Sequence, residues 1–173
     1  MEIESRCYKL KLPNGRVVDI LSELIDEMSK WLQHDIHASE SGGYILGYQH
    51  RKTGNITLEF ITIPQEQDIC SRIRCTIKDF FHRKLLRKAQ LNDSYYMGVW
   101  HTHPQQIPTP SNIDYRDWQE SLRCERTGGD YIFFLIAGTQ GFRVWVGDYS
   151  NHKIVELNES QKKGSLYMKN SHY

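Results

Sequence analysis

Residues 95–114, YYMGVWHTHPQQIPTPSNID, carry the most informative pattern in this chain. The first six residues are aromatic, apolar or glycine, a composition typical of a buried β-strand. The strand leads directly into His101 and His103, and the prolines among residues 104–110 then predict a restricted loop. At Ser111 the pattern favours a helix that continues to about Cys124. The sequence therefore predicts a strand that ends in two histidines, followed by a loop and a helix.

The two histidines have the spacing of a metal site. Residues i and i+2 of an extended strand project to the same face, about 6.5 to 7 Å apart at the backbone, so both imidazoles can reach one ion. Catalytic zinc sites take three protein ligands and leave one position for water. Asp114, in the first turn of the predicted helix, is the candidate for the third ligand because the loop can fold back over the histidine pair.

Two further residues complete a candidate hydrolytic site. Glu40 comes just before Gly42 and Gly43, where a backbone without Cβ atoms can pass close to another element. Its carboxylate can take a proton from a zinc-bound water and deliver it to a leaving amine. Ser111 could donate a hydrogen bond to the oxyanion of a tetrahedral intermediate.

Each of these residues also has a structural interpretation. A histidine pair in a strand can simply be hydrogen-bonded in the interior, and Glu40 can be a solvated loop acid. The spacing of Ser111 and Asp114 is that of a helix capping box. The combination favours a metal site, since one loop joins the histidine pair to the Ser/Asp pair.

Hydrophobic patterning outside this stretch predicts a mixed α+β or three-layer fold around one mostly antiparallel sheet. The two strands that flank the turn at residues 51–55 should pair antiparallel. The second predicted helix has a dense basic face, which is either a solvated surface or a docking surface for an acidic partner. Strands are predicted at residues 6–12, 44–48, 56–63, 95–100, 131–137, 142–148 and 153–157, and helices at 18–33, from about 68 to 88, and at 111–124.

Length and charge narrow the class of protein. The chain has 173 residues, 22 Lys+Arg and 21 Asp+Glu, which fits one globular domain without a field that would attract nucleic acid or anionic membrane. No signal peptide or long apolar run is visible, so we expect a cytoplasmic protein. We predict a domain at residues 1–157 and a polar tail at 158–173. The four cysteines are widely scattered without a CxxC pair and are expected to be reduced thiols: Cys7, Cys70, Cys75 and Cys124.

The motif resembles that of the JAB/JAMM metalloprotease family, the zinc-binding MPN domain. The family signature is an upstream Glu followed by H-[ST]-H-P, a short interval and S-x-x-D. Every position is filled here, by Glu40, by residues 101–104 (HTHP) and by residues 111–114 (SNID). Residues 40–47, ESGGYILG, are also similar to the strand start of the compact prokaryotic branch.

This resemblance implies a fold, a cofactor and a reaction. The implied fold is cytidine-deaminase-like, with a mixed, curved sheet flanked by helices. One Zn²⁺ per chain is implied at His101, His103 and Asp114, with Glu40 as general base and Ser111 supporting the intermediate. Family members cleave the bond after the C-terminus of ubiquitin, a ubiquitin-like protein or another conjugated protein.

The short form is similar to deconjugating peptidases of bacterial antiphage CBASS operons. In that branch the implied partners are a cGAS-like nucleotidyltransferase and its conjugating enzyme. The alternatives are a protease that matures a sulfur-carrier or ubiquitin-like protein, and a catalytically inactive MPN-type scaffold. A two-metal phosphoesterase or amidohydrolase would need further ligands, for which His34 and His37 are the least unsuitable candidates. We also predict a substrate groove between residues 56–63 and 115–129, with Arg116 and Trp118 in contact with substrate.

Overall fold

The computed structural model describes residues 7–157, which form one large sheet, one small hairpin and three helices. The predicted polar tail at 158–173 lies outside the described residues. The helices are α1 (Ser22–Ser29), α2 (Phe80–Gln90) and α3 (Asn112–Cys124). The strands are β1 (Cys7–Lys11), β2 (Val17–Leu21), β3 (Gly42–Gln49), β4 (Ile56–Ile61), β5 (Ile69–Cys70), β6 (Cys75–Thr76), β7 (Tyr95–Thr102), β8 (Tyr131–Ala137), β9 (Phe142–Asp148) and β10 (Lys153–Leu157).

The large sheet has the order β1-β2-β4-β3-β7-β8-β9-β10. Only the pairs β2–β4 and β7–β8 are parallel, and the other neighbours are antiparallel. This confirms the predicted mixed, mostly antiparallel sheet and the antiparallel pairing of β3 with β4. The three C-terminal strands have the predicted bounds because a tight turn separates each from the next.

Strand β8 lies at the centre of a three-layer structure. All seven of its residues are buried, and alternate side chains enter two different clusters. Phe133 and Leu135 join the larger core with α1, whereas Ile132 and Phe134 join a cluster with Trp118 of α3. A strand covered on both faces is apolar throughout, which explains its continuous hydrophobic sequence.

The predicted helix at residues 18–33 is wrong at its start. Val17–Leu21 form strand β2, in which Val18 and Ile20 are fully buried between β1 and β4. Their alternation with polar Asp19 has the two-residue period of a strand. The helical spacing of the apolar residues begins only after Leu21, but it follows so directly that the pattern assigns residues 18–21 to the same helix. The helical stripe is confirmed only within α1, whose buried residues are Leu24, Ile25 and Met28.

The predicted start of the second helix near Asp68 is also wrong. Residues 69–76 form the β5–β6 hairpin, which leaves Ile69 and Ile73 about 60% exposed. The Asp68 carboxylate accepts hydrogen bonds from the backbone N–H groups of Lys78 and Asp79, an arrangement that competes with a helix. Helix α2 therefore begins only after Asp79, its N-cap.

The prediction that every cysteine is a reduced thiol is wrong for one pair. Cys70 and Cys75 form a disulfide across the β5–β6 hairpin. They are only five residues apart, and the antiparallel register places them directly opposite each other. Cys7 and Cys124 are free.

Candidate metal centre

The end of β7 presents both histidines to one site. His101 pairs with Gly42 of β3 and Ile136 of β8, and the His103 N–H donates to the Ala137 carbonyl oxygen at 2.9 Å. The two Nε2 atoms lie 3.2 Å apart, as expected for side chains that leave an extended segment on one face.

Gln105 determines which nitrogen of His103 faces the site. Its side-chain oxygen accepts from the Thr109 backbone N–H at 2.8 Å and lies 3.3 Å from His103 Nδ1. That oxygen can only accept, so Nδ1 donates to it and Nε2 is the nitrogen that faces the site. Gln105 was not predicted from the sequence, although a polar side chain two residues after a metal-type histidine is a usable signal.

Asp114 reaches the histidines from the first turn of α3. A capping box is present, with the Ser111 N–H donating to Asp114 Oδ2 at 2.7 Å and the Asp114 N–H donating to Ser111 Oγ at 3.0 Å. The structural interpretation of this pair is therefore correct. It does not exclude a role for Asp114 as a metal ligand, because the same carboxylate lies 3.1 Å from His101 Nε2 and 3.3 Å from His103 Nε2.

Glu40 is held from two sides by backbone contacts. Its own N–H donates to the Ser71 carbonyl oxygen of the hairpin turn at 2.7 Å. The next residue, Ser41, exchanges hydrogen bonds with Thr102, whose hydroxyl also donates to Gln33 Oε1 at 2.8 Å. Gln33 and Thr102 are buried, and sequence reasoning assigned neither of them a role.

Glycine allows β3 to approach its neighbours here, as predicted from residues 42 and 43. A Cβ atom on Gly43 would lie 2.1 Å from the Thr62 carbonyl oxygen. Glu40 Oε1 lies 3.5 Å from His103 Nε2. The residue is only 5% exposed, so Glu40 is not a solvated loop acid.

The spacing of the donor atoms fits a tetrahedral zinc ion. Bonds of about 2.0 to 2.1 Å with tetrahedral angles place ligand atoms roughly 3.3 to 3.4 Å apart. The two Nε2 atoms are 3.2 Å apart, and Asp114 approaches them with different oxygens, Oδ1 at 3.1 Å from His101 and Oδ2 at 3.3 Å from His103. Glu40 also offers an oxygen within 4.8 Å of both histidine nitrogens, so the site contains two candidate carboxylates.

The local electrostatics distinguish these two carboxylates. Burial raises the pKa of Glu40 to about 7, against the opposing influence of the two imidazoles. Burial also acts to raise the pKa of Asp114, but hydrogen bonds from His101 and His103 outweigh it and hold that pKa far below its ordinary value. For His103, burial acts to lower the pKa, and the Asp114 carboxylate more than compensates and raises it. Asp114 is thus a permanent anion, whereas Glu40 can exchange a proton near neutral pH.

The site opens into a cleft of about 230 Å³ between β6, β7 and α3. The α3 wall falls within the predicted segment 115–129, but the opposite wall is the hairpin rather than residues 56–63, because β4 lies inside the sheet. Trp118 lines this cleft, although it is only 2% exposed and stacks on Phe134 in the interior. Arg116 lines a different depression with Gln119 and His152. The predicted substrate contact of Arg116 is therefore wrong, whereas that of Trp118 stays a prediction.

Within residues 7–157 there is no second cluster of metal-ligating side chains of the kind that the two-metal alternative requires. Of the other histidines, His82 is buried between Thr62 and Asp68, with contacts of 2.7 and 2.6 Å. His34 and His37 are exposed on the loop after α1. In the same part of the chain, every helix is too short and too polar to cross a membrane.

The fold and this clustered site define an α+β domain of the JAB type with a candidate metal centre. Residues 21–147 match the family described as Prokaryotic homologs of the JAB domain, and the chain belongs to this family. The predicted cytidine-deaminase-like JAB1/MPN fold is confirmed.

Named relatives agree with this assignment. The chain is 27% identical over 143 residues to a CD-NTase/cGAS isopeptidase of Escherichia coli, covering 81% of this chain and 86% of the relative. It is 25% identical to one of Vibrio cholerae, covering 76% and 81%. The solution structure of a Desulfitobacterium hafniense protein matches with a TM-score of 0.57 and 16% identity, covering 89% of this chain and 98% of that one, which is a likeness of fold alone.

The hairpin disulfide should stabilise the backbone around Glu40. Breaking it in Cys75→Ser, or by reduction, should speed hydrogen exchange of the Glu40 amide by up to about 30-fold, because a short closed loop contributes roughly 2 kcal/mol. That amide donates to Ser71 inside the loop closed by Cys70 and Cys75. Amide hydrogen exchange followed by mass spectrometry would measure the exchange rate of the Glu40 amide. Cys124→Ser, at an exposed free thiol, is the control, and an unchanged Glu40 rate in Cys75→Ser would contradict the prediction.

Proposed function

We propose that this protein is a zinc-dependent isopeptidase, with one Zn²⁺ per chain, that cleaves after the C-terminus of a ubiquitin-like or other conjugated protein. The convergence of the two imidazoles and the Asp114 carboxylate, with contacts of 3.1 to 3.3 Å, carries the proposal. The E. coli and V. cholerae relatives are both named CD-NTase/cGAS isopeptidase, which favours a cGAS-like nucleotidyltransferase as the conjugated protein. The enzyme would then reverse the work of a conjugating enzyme in the bacterial cytoplasm, within an antiphage system.

We assign Asp114, rather than Glu40, as the third zinc ligand. Its two oxygens lie 3.1 Å from His101 and 3.3 Å from His103, whereas the Glu40 contact with His103 is longer, at 3.5 Å. Its lowered pKa keeps it ionised, as a metal ligand must be. Glu40 is left to act on protons, for which its pKa of about 7 is well suited.

In the proposed mechanism Glu40 transfers the proton and Ser111 stabilises the oxyanion. A bound Zn²⁺ would polarise the scissile carbonyl and lower the pKa of water toward about 7. Glu40 accepts the proton that the attacking water loses as its oxygen bonds to the carbonyl carbon. Glu40 then donates that proton to the amine nitrogen as the C–N bond breaks. The Ser111 hydroxyl, which accepts from the Asp114 N–H, can still donate to the oxyanion.

The cleft between the β5–β6 hairpin and α3 is the proposed path of the substrate tail. Cys75 and Thr76 of β6 line one side, and Asp117 and Ser121 of α3 line the other. An extended peptide can add to a strand edge and use main-chain hydrogen bonds for affinity. The Arg74–Asp117 salt bridge, 3.1 Å long and partly exposed, spans the two walls.

Zinc content is the decisive measurement for the proposal. Purified protein should hold one zinc ion per chain, and His103→Ala should bind zinc at least about 100-fold more weakly, because even the loss of an outer-shell partner costs 10- to 100-fold. Metal analysis and a competition titration with a chromophoric chelator would measure both. Cleavage of the isopeptide-linked nucleotidyltransferase should stop when the chelator removes the ion.

His37→Ala is the matched control, because His37 is exposed and was the candidate for a second metal site. It should leave both zinc content and cleavage unchanged. Wild-type protein that binds no zinc would support the scaffold alternative and contradict the proposed function. Two ions per chain, falling to one in His37→Ala, would instead support the two-metal alternative.

A further inference from the structure

A second depression continues the active-site cleft. It has a volume of about 340 Å³ and lies between α2, β7 and the end of α3. It shares Tyr44 and Glu125 with the cleft that contains His101 and Asp114. The two therefore adjoin at these residues, and together they extend from the candidate metal centre to α2; we refer to them jointly as the groove.

The length of the groove can be estimated along α3. Glu125, at the far end, follows Asp114 by eleven residues, and a helix rises 1.5 Å per residue, which gives about 16 Å. An extended peptide advances about 3.3 Å per residue. A substrate chain lying in the groove would thus place about its fifth residue from the scissile bond in the second depression.

Only one side of an isopeptide bond can fill such a groove. The amine side is a single lysine side chain on a folded protein, which has no extended main chain to offer. The acyl side is the C-terminal tail of the conjugated protein. The occupant of the groove is therefore this tail.

The charge of the second depression indicates what the tail carries. Helix α2, FFHRKLLRKAQ, holds Arg83, Lys84, Arg87 and Lys88 and has no acidic residue. Arg83 and Arg87 line the depression, while Lys84 and Lys88 do not. Within the described residues 7–157, no carboxylate lies within salt-bridge distance of either arginine.

The two guanidinium groups are also restrained in position. Arg87 packs 5.9 Å from the centre of the Phe80 ring, a cation–π contact, and Arg83 lies beside the Tyr44 phenol. The carboxylate of the depression, Glu125, accepts a hydrogen bond from the Tyr96 hydroxyl. Two positioned guanidinium groups are well suited to bind a carboxylate, which can take two parallel hydrogen bonds from either one.

We propose that Arg83 and Arg87 form a specificity pocket for an acidic side chain of the substrate tail, about five residues before the scissile bond. This inference rests on the proposed isopeptidase function and narrows its substrate class. It also gives a role to the basic face of α2, for which the sequence left a solvated surface and an acidic docking partner as alternatives.

Positional-scanning libraries would test this proposal without knowledge of the natural substrate. Each library is a randomised ten-residue tail joined through its C-terminal carboxyl to the ε-amino group of a fluorescent lysine. One position is fixed in turn as Asp, Asn or Lys, and kcat/KM is measured with the zinc-loaded full-length protein. We expect Asp to exceed Asn by about two- to fivefold at a position four to six residues from the bond, as for partly exposed ion pairs.

Charge reversal within α2 provides the matched comparison. Arg83→Glu with Arg87→Glu should change the preference at that position from Asp to Lys. Lys84→Glu with Lys88→Glu makes the same charge change at the same spacing on the same helix and should preserve the preference for Asp.

The outcomes separate the inference from the function on which it rests. If no library is cleaved by zinc-loaded protein, the proposed function itself is overturned, and the inference with it. Cleavage without a preference for Asp at positions four to six overturns the pocket alone. An equal shift in both double variants also overturns it, because the effect would then come from the general field of a basic helix, as on a nucleic-acid-binding surface.

Discussion

Glu40→Gln is expected to lower kcat for isopeptide cleavage by about 10²- to 10⁴-fold, the usual contribution of a positioned acid–base group. The amide is nearly isosteric with the carboxyl group but cannot accept the water proton. KM should change little, because Glu40 lies at the metal end of the groove rather than along its length. Zinc should remain stoichiometric, since His101, His103 and Asp114 are untouched. Steady-state kinetics and metal analysis on the same preparation would measure all three quantities.

Stability provides the control that the variant is folded. In the metal-free protein burial raises the pKa of Glu40 from 4.5 to about 7. The folded state therefore binds a proton more tightly than the unfolded state, so the associated stability is complete below pH 4.5 and is lost as pH rises through 7. At pH 8 metal-free Glu40→Gln should be about 2 to 3 kcal/mol more stable than wild type, and at pH 4 the two should agree. Cleavage at the wild-type rate would remove Glu40 as the base, and an unfolded variant would contradict the burial argument.

Much of the candidate site could be predicted because local rules place its residues. His101 and His103 converge through the two-residue period of a strand, and Asp114 is positioned by the capping box that Ser111 begins. Glu40 could be singled out because the glycines that follow it indicate a close approach of two backbones. These arguments bring side chains together without knowledge of the whole fold.

The parts that could not be predicted depend on contacts remote in sequence. The hydrogen bond from Thr102 to Gln33 joins β7 to the loop after α1, and no local pattern indicates it. The hairpin at residues 69–76 has apolar residues at helical spacing, yet the Asp68 carboxylate binds backbone groups ten and eleven residues away. The pairing of Cys70 with Cys75 follows from that hairpin, so one wrong element produced two wrong predictions.

The backbone of β7 supports the metal centre through a glycine that sequence patterning did not explain. Gly98 has φ of +151°, and a Cβ atom there would lie 1.8 Å from the Phe133 carbonyl oxygen of β8. The register of β7 against β3 also shifts at this point, since Ile45 pairs with Gly98 and Leu46 with Tyr96. Such an irregularity sets the direction in which a strand continues, and here the strand continues to His101.

Gly98→Ala should lower the free energy of unfolding by about 3 kcal/mol, because backbone strain and overpacking against a paired strand add together. Urea denaturation should show a lower midpoint with an unchanged m-value. The surviving folded protein should also bind zinc more weakly, because β7 must move away from Phe133 and carry His101 with it. Both effects come from the same displaced segment, so they should occur together.

Gly15→Ala separates backbone strain from steric crowding. Gly15 also has a positive φ, +83°, but nothing lies within 4 Å of the Cβ atom that alanine would add. This variant should lose only about 1 kcal/mol, the cost of the left-handed conformation for a residue with a side chain, and should keep normal zinc affinity. Equal losses in the two variants would mean that the β7–β8 contact accommodates a methyl group. The end of β7 would then be positioned by its histidines and their metal rather than by the sheet.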